Sequence, residues 1–336
     1  MRKLWSNLRW LFIVLCVVIL WLSVQTYRTM DRKNTLTKPI VLQLEHGDSL
    51  RTIGNKLVKL NLLENPAHFV WWVRLHGEAR HLQAGNYEIV PGETLAHLMT
   101  DMVSGKVQQF PLTVVEGWTF NQMMNLINDD PHIQHTVKGL DDAAIMTAIG
   151  HTGEHPEGRF FPDTYHVHMK EKDVELLKRA YDRMKQTLDA LWPAREPGLP
   201  YKTAYQALIM ASIVEKETAV SDERSLIAGV FVNRLRMGMR LQTDPSVIYG
   251  MGDKYDGDIR FRDLRTDTPY NTYTRKGLPP TPIAMPGHAS IVAALHPAVT
   301  EYLYFVAHGD GSGRHIFSRT LAEHEKMVKL HQLKHH

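Results

Sequence analysis

From Trp10 to Tyr27 the chain runs eighteen residues without a charge, and Leu11 to Leu22 (LFIVLCVVILWL) is apolar throughout. As a helix rising 1.5 Å per residue this run is about 27 Å long, close to a bilayer hydrocarbon core of roughly 30 Å. Trp5, Trp10, Trp21 and Tyr27 stand near its two ends, where amphipathic rings favour the interface. A cleaved signal peptide needs small residues ahead of the cut, yet the first alanine is Ala67, and Leu15 before Cys16 is too large for a lipoprotein-type site. The pattern therefore predicts an uncleaved membrane-spanning helix over 10–27. Residues 1–9 are expected on the cytoplasmic side and 28–39 as a polar linker. Three basic residues flank the span on each side, so the start amine alone tips the orientation toward N-terminus inside.

Beyond the linker the periodicity shortens. Ile40 to Leu44 reads as a strand, followed by a turn at His46-Gly47-Asp48. A β-like stretch, a glycine, a capping hydroxyl and an amphipathic helix then recur in EHGDSLRTIGNKL (Glu45–Leu57), VPGETLAHLMTDM (Val90–Met102) and VEGWTFNQMMNLI (Val115–Ile127). Glycine permits the tight turn, and the hydroxyl accepts from the free N–H groups of the first helical turn. Helical spacing returns over Asp173–Leu191 and over Lys202–Thr218, the latter apolar nearly all round and hence predicted to be buried. Tyr302–Val306 and His315–Phe317 read as the strands of a hairpin around a glycine-rich turn. The fold class expected is α+β, with a small module over 40–108 and a larger domain over 109–336.

Charge and composition sharpen this picture. The 336 residues carry a net charge of +3, but residues 1–33 hold six basic groups against Asp31, so residues 34–336 sum to about −2. A nucleic-acid partner is disfavoured, because phosphate neutralisation needs a clustered cationic face. Cys16, the single cysteine, lies inside the span, so disulfides and cysteine-ligated zinc are excluded for the remainder. Nineteen histidines include His166/His168 on a probable strand and His132/His135 on a predicted helix. Pairs alone rarely hold a metal and no HExxH pattern occurs, so no metal and no cofactor is expected. His335-His336 is too short to interpret.

The predicted helix Lys202–Thr218 ends in Glu215-Lys216-Glu217. The two carboxylates stand about 200° apart on a helix, so one can face a cleft while the other does not. A carboxyl leaving an apolar helix is desolvated, which raises its pKa and suits it to general acid work. The segments Phe231–Gly250 and Thr268–Gly287 follow, rich in Tyr, Asn, Gln, Thr and Pro, and such loops present rings and amides to sugars and their N-acetyl groups.

Five stretches carry a family resemblance: EGRFFPDTY (Glu157–Tyr165), ASIVEKETA (Ala211–Ala219), NRLRMGMRLQTDPSVIYG (Asn233–Gly250), YNTYTRKGLPPTPIAMPG (Tyr270–Gly287) and ALHPAVTEYLYFV (Ala294–Val306). In their combination, order and spacing the chain resembles the YceG-like endolytic murein transglycosylases over nearly its whole length. The first two strand-turn-helix units resemble pieces of a LysM-like glycan-binding module. The family resemblance implies Glu217 as the one catalytic glutamate. It also implies cleavage of the β-1,4 bond between N-acetylmuramic acid and N-acetylglucosamine, leaving a 1,6-anhydro end. One carboxyl suffices for that chemistry, acting first as acid and then as base; a hydrolase needs a second carboxylate about 5–9.5 Å away, for which Asp244 is the candidate. Gln242, Asp244, Tyr249, Asn271 and Tyr273 are expected at the substrate, with Glu157 and Asp163 as weaker candidates. The expected setting is the inner membrane with the catalytic domain periplasmic, acting on peptidoglycan strands beside the peptidoglycan synthases. The rival readings are a non-catalytic cell-wall or divisome scaffold and a true hydrolase.

Overall fold

The computed structural model describes residues 2–45 and 47–331, with side chains from residue 10 onward. His46 of the first expected turn and the His335-His336 pair lie outside the described residues, as does the side chain of Trp5. The chain forms two compact units, residues 1–110 with 166–170, and residues 111–165 with 171–336.

The first unit begins with α1 (Arg2–Asp31), whose segment from Trp10 is long and apolar enough to cross a membrane. There follow β1 (Ile40–Leu44), α2 (Leu50–Lys59), α3 (Pro66–Leu75), β2 (Gly85–Ile89) and α4 (Leu95–Ser104). β1 and β2 pair antiparallel with Ile40 opposite Ile89. Ser49 caps α2 and Thr94 caps α4 by accepting from the third residue onward, while Gly47 and Gly92 take positive φ in the turns before them. The helices fold onto this strand pair through Leu42, Ile53, Leu57, Phe69, Val73, Tyr87 and Leu98. The linker expected over 28–39 is not a free tether. Residues 28–31 continue α1, and Met30 is fully buried in the core of this unit. Lys33 then bridges Thr94, and the Asn34 side chain is bonded to Val90, Gly92 and Glu93.

The second run of elements comprises β3 (Gln109–Thr113), α5 (Phe120–Asp129), β4 (Ile133–Gln134), α6 (Asp142–Ala148), β5 (Thr164–His168), β6 (Glu171–Lys172) and α7 (Asp173–Leu191). It continues with α8 (Ala204–Glu217), α9 (Arg224–Arg236), α10 (Asp244–Met251), α11 (Phe261–Arg265), α12 (His288–Leu295), β7 (Tyr304–Ala307), β8 (His315–Ser318) and α13 (Leu321–His331). Thr119 and Gln122 form a reciprocal capping box on α5, the third of the repeated glycine-hydroxyl units. His132 and His135 are not helical: they flank β4, which pairs parallel to β6, because Asp130 and Pro131 end α5 before them. β7 and β8 form the expected hairpin, with Phe305 opposite Phe317.

The core of the second unit explains the nearly uniform hydrophobicity of α8. Met210, Ala211, Ile213 and Val214 are enclosed together with Ile227, Ala228 and Phe231 of α9 and with Ile291, Ala294 and Leu295 of α12. A helix covered on several sides needs no polar stripe until its end. Within α9, Gly229 meets the backbone of the segment after α12: a Cβ there would stand 2.4 Å from the Ala298 carbonyl oxygen. Gly229→Ala should therefore destabilise the protein by about 1–2 kcal/mol, although alanine is the better helix former by about 1 kcal/mol, because the overpacking term is larger. Thermal unfolding in detergent micelles reads the loss.

Candidate active site

Glu217 is the last residue of α8, and Thr218 caps the helix in an extended conformation. The buried helix thus delivers one carboxyl to its rim, on a residue that is half-buried. Thr243, which is almost wholly buried, donates its hydroxyl to Glu217 Oε1. Desolvation raises the Glu217 pKa from 4.5 to about 7, and neighbouring Asp244 adds to the rise, against the opposing pull of the Thr243 hydrogen bond and the Arg234 cation. Glu215, on the other side of the helix end, accepts from the Gly287 N–H at 3.0 Å, so the two glutamates do part as helical geometry requires.

Thr243 is itself held by a small buried hydroxyl network. Its N–H donates to Thr272 Oγ1 at 3.0 Å, Ser246 Oγ donates to its carbonyl at 2.8 Å, and the Ser246 and Thr272 hydroxyls lie 2.9 Å apart. The preceding residue, Gln242, has φ of 54°, a left-handed conformation rare for a residue with a Cβ. Arg234 of α9 clamps that bend: its guanidinium donates to the carbonyls of Arg240 and Leu241, to Gln242 Oε1 and to Leu303 O. Strain held by a buried cation beside a raised carboxyl is characteristic of functional sites. Thr243 and Arg234 both lie in the motif Asn233–Gly250, whose composition does not distinguish them from their neighbours.

The residues expected at the substrate fall into three places. Gln242 and Asp244 are exposed beside Glu217, and Tyr273 donates to Asp244 Oδ1 at 2.5 Å. Asp244 is also the first residue of α10, where a carboxylate suits the helix N-terminus. Tyr249 lies elsewhere, donating at 3.1 Å to Glu157 Oε2 in a cavity of about 980 Å³ that Lys216 and Pro245, the sequence neighbours of Glu217 and Asp244, also line. Asn271 requires a correction. It is fully buried, its amide donates to the carbonyls of Asp263, Leu264 and Thr266, and its oxygen accepts from Tyr273 N, so it shapes the loop that carries Tyr273 and presents nothing to a ligand. Of the weaker candidates, Asp163 pairs with Arg183 at 3.3 Å. Glu157 is buried and accepts from the Phe120 N–H at the start of α5.

The described residues offer one three-residue grouping that a metal ion would recognise, Glu93, His97 and Asp101. Glu93 precedes α4 while His97 and Asp101 lie a turn apart on it, with His97 Nε2 4.0 and 3.8 Å from the two carboxylates, a spacing of ordinary i, i+4 side-chain neighbours.

The YceG-like family model matches residues 42–330. The chain belongs to the YceG-like family. It is 32% identical over 314 residues to a Bacillus subtilis protein named endolytic murein transglycosylase, covering 88% of this chain and 84% of that protein. It is 25% identical over 329 residues to proteins of that name from two Streptococcus pneumoniae strains, of whose length it spans 58%. A YceG-like protein of Listeria monocytogenes, known from a crystal structure, superposes with a TM-score of 0.53 at 28% identity over 87% of this chain and 99% of that one.

Burial also raises the Glu157 pKa, from 4.5 to about 7, against the hydrogen bonds from Phe120 and Tyr249. For a carboxyl whose folded pKa is raised, the neutral form is favoured on folding, so this group costs stability progressively as pH rises from about 4.5 to about 7. Glu157→Gln keeps an acceptor for Phe120 without the charge. It should be nearly neutral at pH about 4 and stabilising by about 3 kcal/mol at pH about 8, an amount set by 1.36 kcal/mol per unit of pKa. Thermal melts of both proteins across that range measure the difference.

Proposed function

We propose that this protein is an endolytic lytic transglycosylase of peptidoglycan, with Glu217 as its catalytic residue. The observation that carries the reading is the Glu217 carboxyl itself: at the end of a buried helix, on a half-buried residue, with a pKa of about 7 and a fixed donor in Thr243. Such a carboxyl is protonated often enough near neutrality to give its proton away, and basic enough afterwards to take one back. The names of the relatives support murein as the substrate.

In the reaction proposed, Glu217 gives its proton to the glycosidic oxygen as the bond from C1 of N-acetylmuramic acid breaks, releasing the C4 hydroxyl of N-acetylglucosamine. The resulting carboxylate then takes the proton of the muramyl C6 hydroxyl as its oxygen closes on C1. A 1,6-anhydro ring forms, no water is consumed, and Glu217 returns to its starting state. Gln242, Asp244 and Tyr273 flank the bond, with Tyr249 at the adjoining cavity. The first unit is proposed as a LysM-like glycan-recognition module. α1 is proposed as a single-pass anchor that keeps the enzyme on the periplasmic side of the inner membrane, beside nascent strands and the synthases that make them.

Asp244 keeps a second reading open. It is close enough to Glu217 to raise its pKa, and with Tyr273 holding one oxygen it stands as the partner a hydrolase would use. Incubation with purified sacculi, followed by mass analysis of the released muropeptides, separates the readings. Anhydro ends, lost by at least about a thousandfold in Glu217→Gln, are expected. Reducing ends lost in Asp244→Asn would replace transglycosylation with hydrolysis, and binding without products would indicate a scaffold.

The pH dependence has a definite sign. The free enzyme must start with Glu217 protonated, so kcat/KM should fall as pH rises through about 7. Thr243→Val removes a hydrogen bond that favours the carboxylate, which moves this limb to higher pH and lowers kcat about tenfold through lost positioning. Thr243→Ser should restore both.

A further inference from the structure

Helix α3 exposes two large apolar residues a turn apart, Trp71 at 58% and Leu75 at 61%. Their place relative to α1 gives that exposure a direction. Thr26 Oγ1 of α1 lies 3.2 Å from His68 Nδ1 of α3, and the Tyr27 and Trp72 rings are 5.8 Å apart. Adjacent residues of α1, 1.5 Å apart in rise, thus meet residues of α3 that are separated by about 6 Å, so α3 crosses α1 steeply and does not run along it.

At about 100° per residue, Phe69 and Val73 lie about 100° to one side of the His68/Trp72 contact, and Trp71 and Leu75 about 60° to the other. Phe69 and Val73 share a core with Met30, which follows Tyr27 in the direction leaving the apolar span. The opposite flank, with Trp71 and Leu75, therefore faces back toward the span. Tyr27 sits about 13 Å along the helix from the middle of the charge-free run, against about 15 Å for half a hydrocarbon core. That depth is the boundary between acyl chains and headgroups, where tryptophan is favoured. Arg28 and Arg74, both exposed, stand at the same end of α1 and on α3 as cations for lipid phosphates.

We infer that the Trp71/Leu75 face of α3 is immersed in the headgroup–acyl boundary of the bilayer that α1 crosses, and so fixes the first unit against the membrane surface. The inference rests on the reading of α1 as an anchor. With Met30 inside the core and no free linker after it, the height of the first unit above the bilayer is then set by two contacts at once. It would confine that unit to glycan lying close to the membrane.

The native Cys16 supplies the control. The full-length chain, reconstituted in phosphatidylethanolamine–phosphatidylglycerol vesicles, is labelled with an environment-sensitive nitrobenzoxadiazole dye at Cys16, or at Trp71→Cys or Leu75→Cys in a Cys16→Ser background. Lipids with a nitroxide near the headgroup or near the chain end report depth, and iodide on both sides reports water. At 71 and 75, shallow nitroxides should quench at least about twofold more than deep ones and iodide should have little access; at Cys16 the depth preference should reverse. Labels at 71 and 75 as open to iodide as free dye-labelled cysteine, with Cys16 still deep, would overturn the inference and leave the anchor intact. Shielding from both iodide and nitroxides would assign the face to a protein partner and overturn it equally. An aqueous Cys16 would remove the anchor reading and this inference with it.

Discussion

The site depends on the burial of α8. A helix enclosed by α9 and α12 along most of its length can end in a carboxyl whose local surroundings are already dry, so Glu217 bears a desolvation cost at the very end of the helix. That cost raises its pKa toward neutrality, and the Thr243 hydroxyl limits the rise. Had the helix been amphipathic, the same Glu-Lys-Glu ending would be an ordinary solvated terminus with carboxylates ionised at neutral pH. The core of the second unit is therefore part of its chemistry as well as of its stability.

Much of the surrounding architecture serves to hold one hydroxyl opposite that carboxyl. Thr243 is fixed by Thr272 and Ser246, Thr272 belongs to the loop that Asn271 ties down from within, and Arg234 secures the left-handed bend at Gln242. Each link is a buried polar group with its partners in place, the condition under which such networks rigidify a site and do not weaken it. The side chains left around Glu217, namely exposed Gln242 and Asp244 and half-buried Tyr273, can then meet a ligand from a scaffold that does not have to reorganise.

The sequence disclosed what local chemistry determines. The apolar run from Trp10, the capped helices after Gly47, Gly92 and Gly117, the buried helix ending at Glu217 and the hairpin near the C-terminus all follow from periodicity, caps and turn residues. What it concealed depends on contacts distant along the chain. Met30 and Asn34 look like linker residues because the core and turn that receive them lie about sixty residues on. Asn271 looks like a sugar ligand because an exposed amide and a loop-bracing amide have the same composition; only its three carbonyl partners tell them apart. Tyr249, expected at the substrate together with Tyr273, faces Glu157, a partner that no spacing rule reveals.

The two carboxyls raised to about 7 show why a perturbed pKa locates chemistry only together with geometry. Glu157 and Glu217 reach that value for the same first cause, desolvation. Glu157, however, is almost wholly buried and accepts from the Phe120 N–H that opens α5, so its oxygens are committed to the fold. Glu217 is half-buried at the end of α8 and accepts from a side chain, Thr243, with the exposed Gln242 and Asp244 beside it. Burial makes both groups unusual, and it is the position of Glu217 at the helix end that fits it to the catalytic role proposed for it. A carboxyl of this kind suits a reaction in which one group gives a proton and then takes one back, which is what the proposed closing of an anhydro ring demands and what activating a separate water does not.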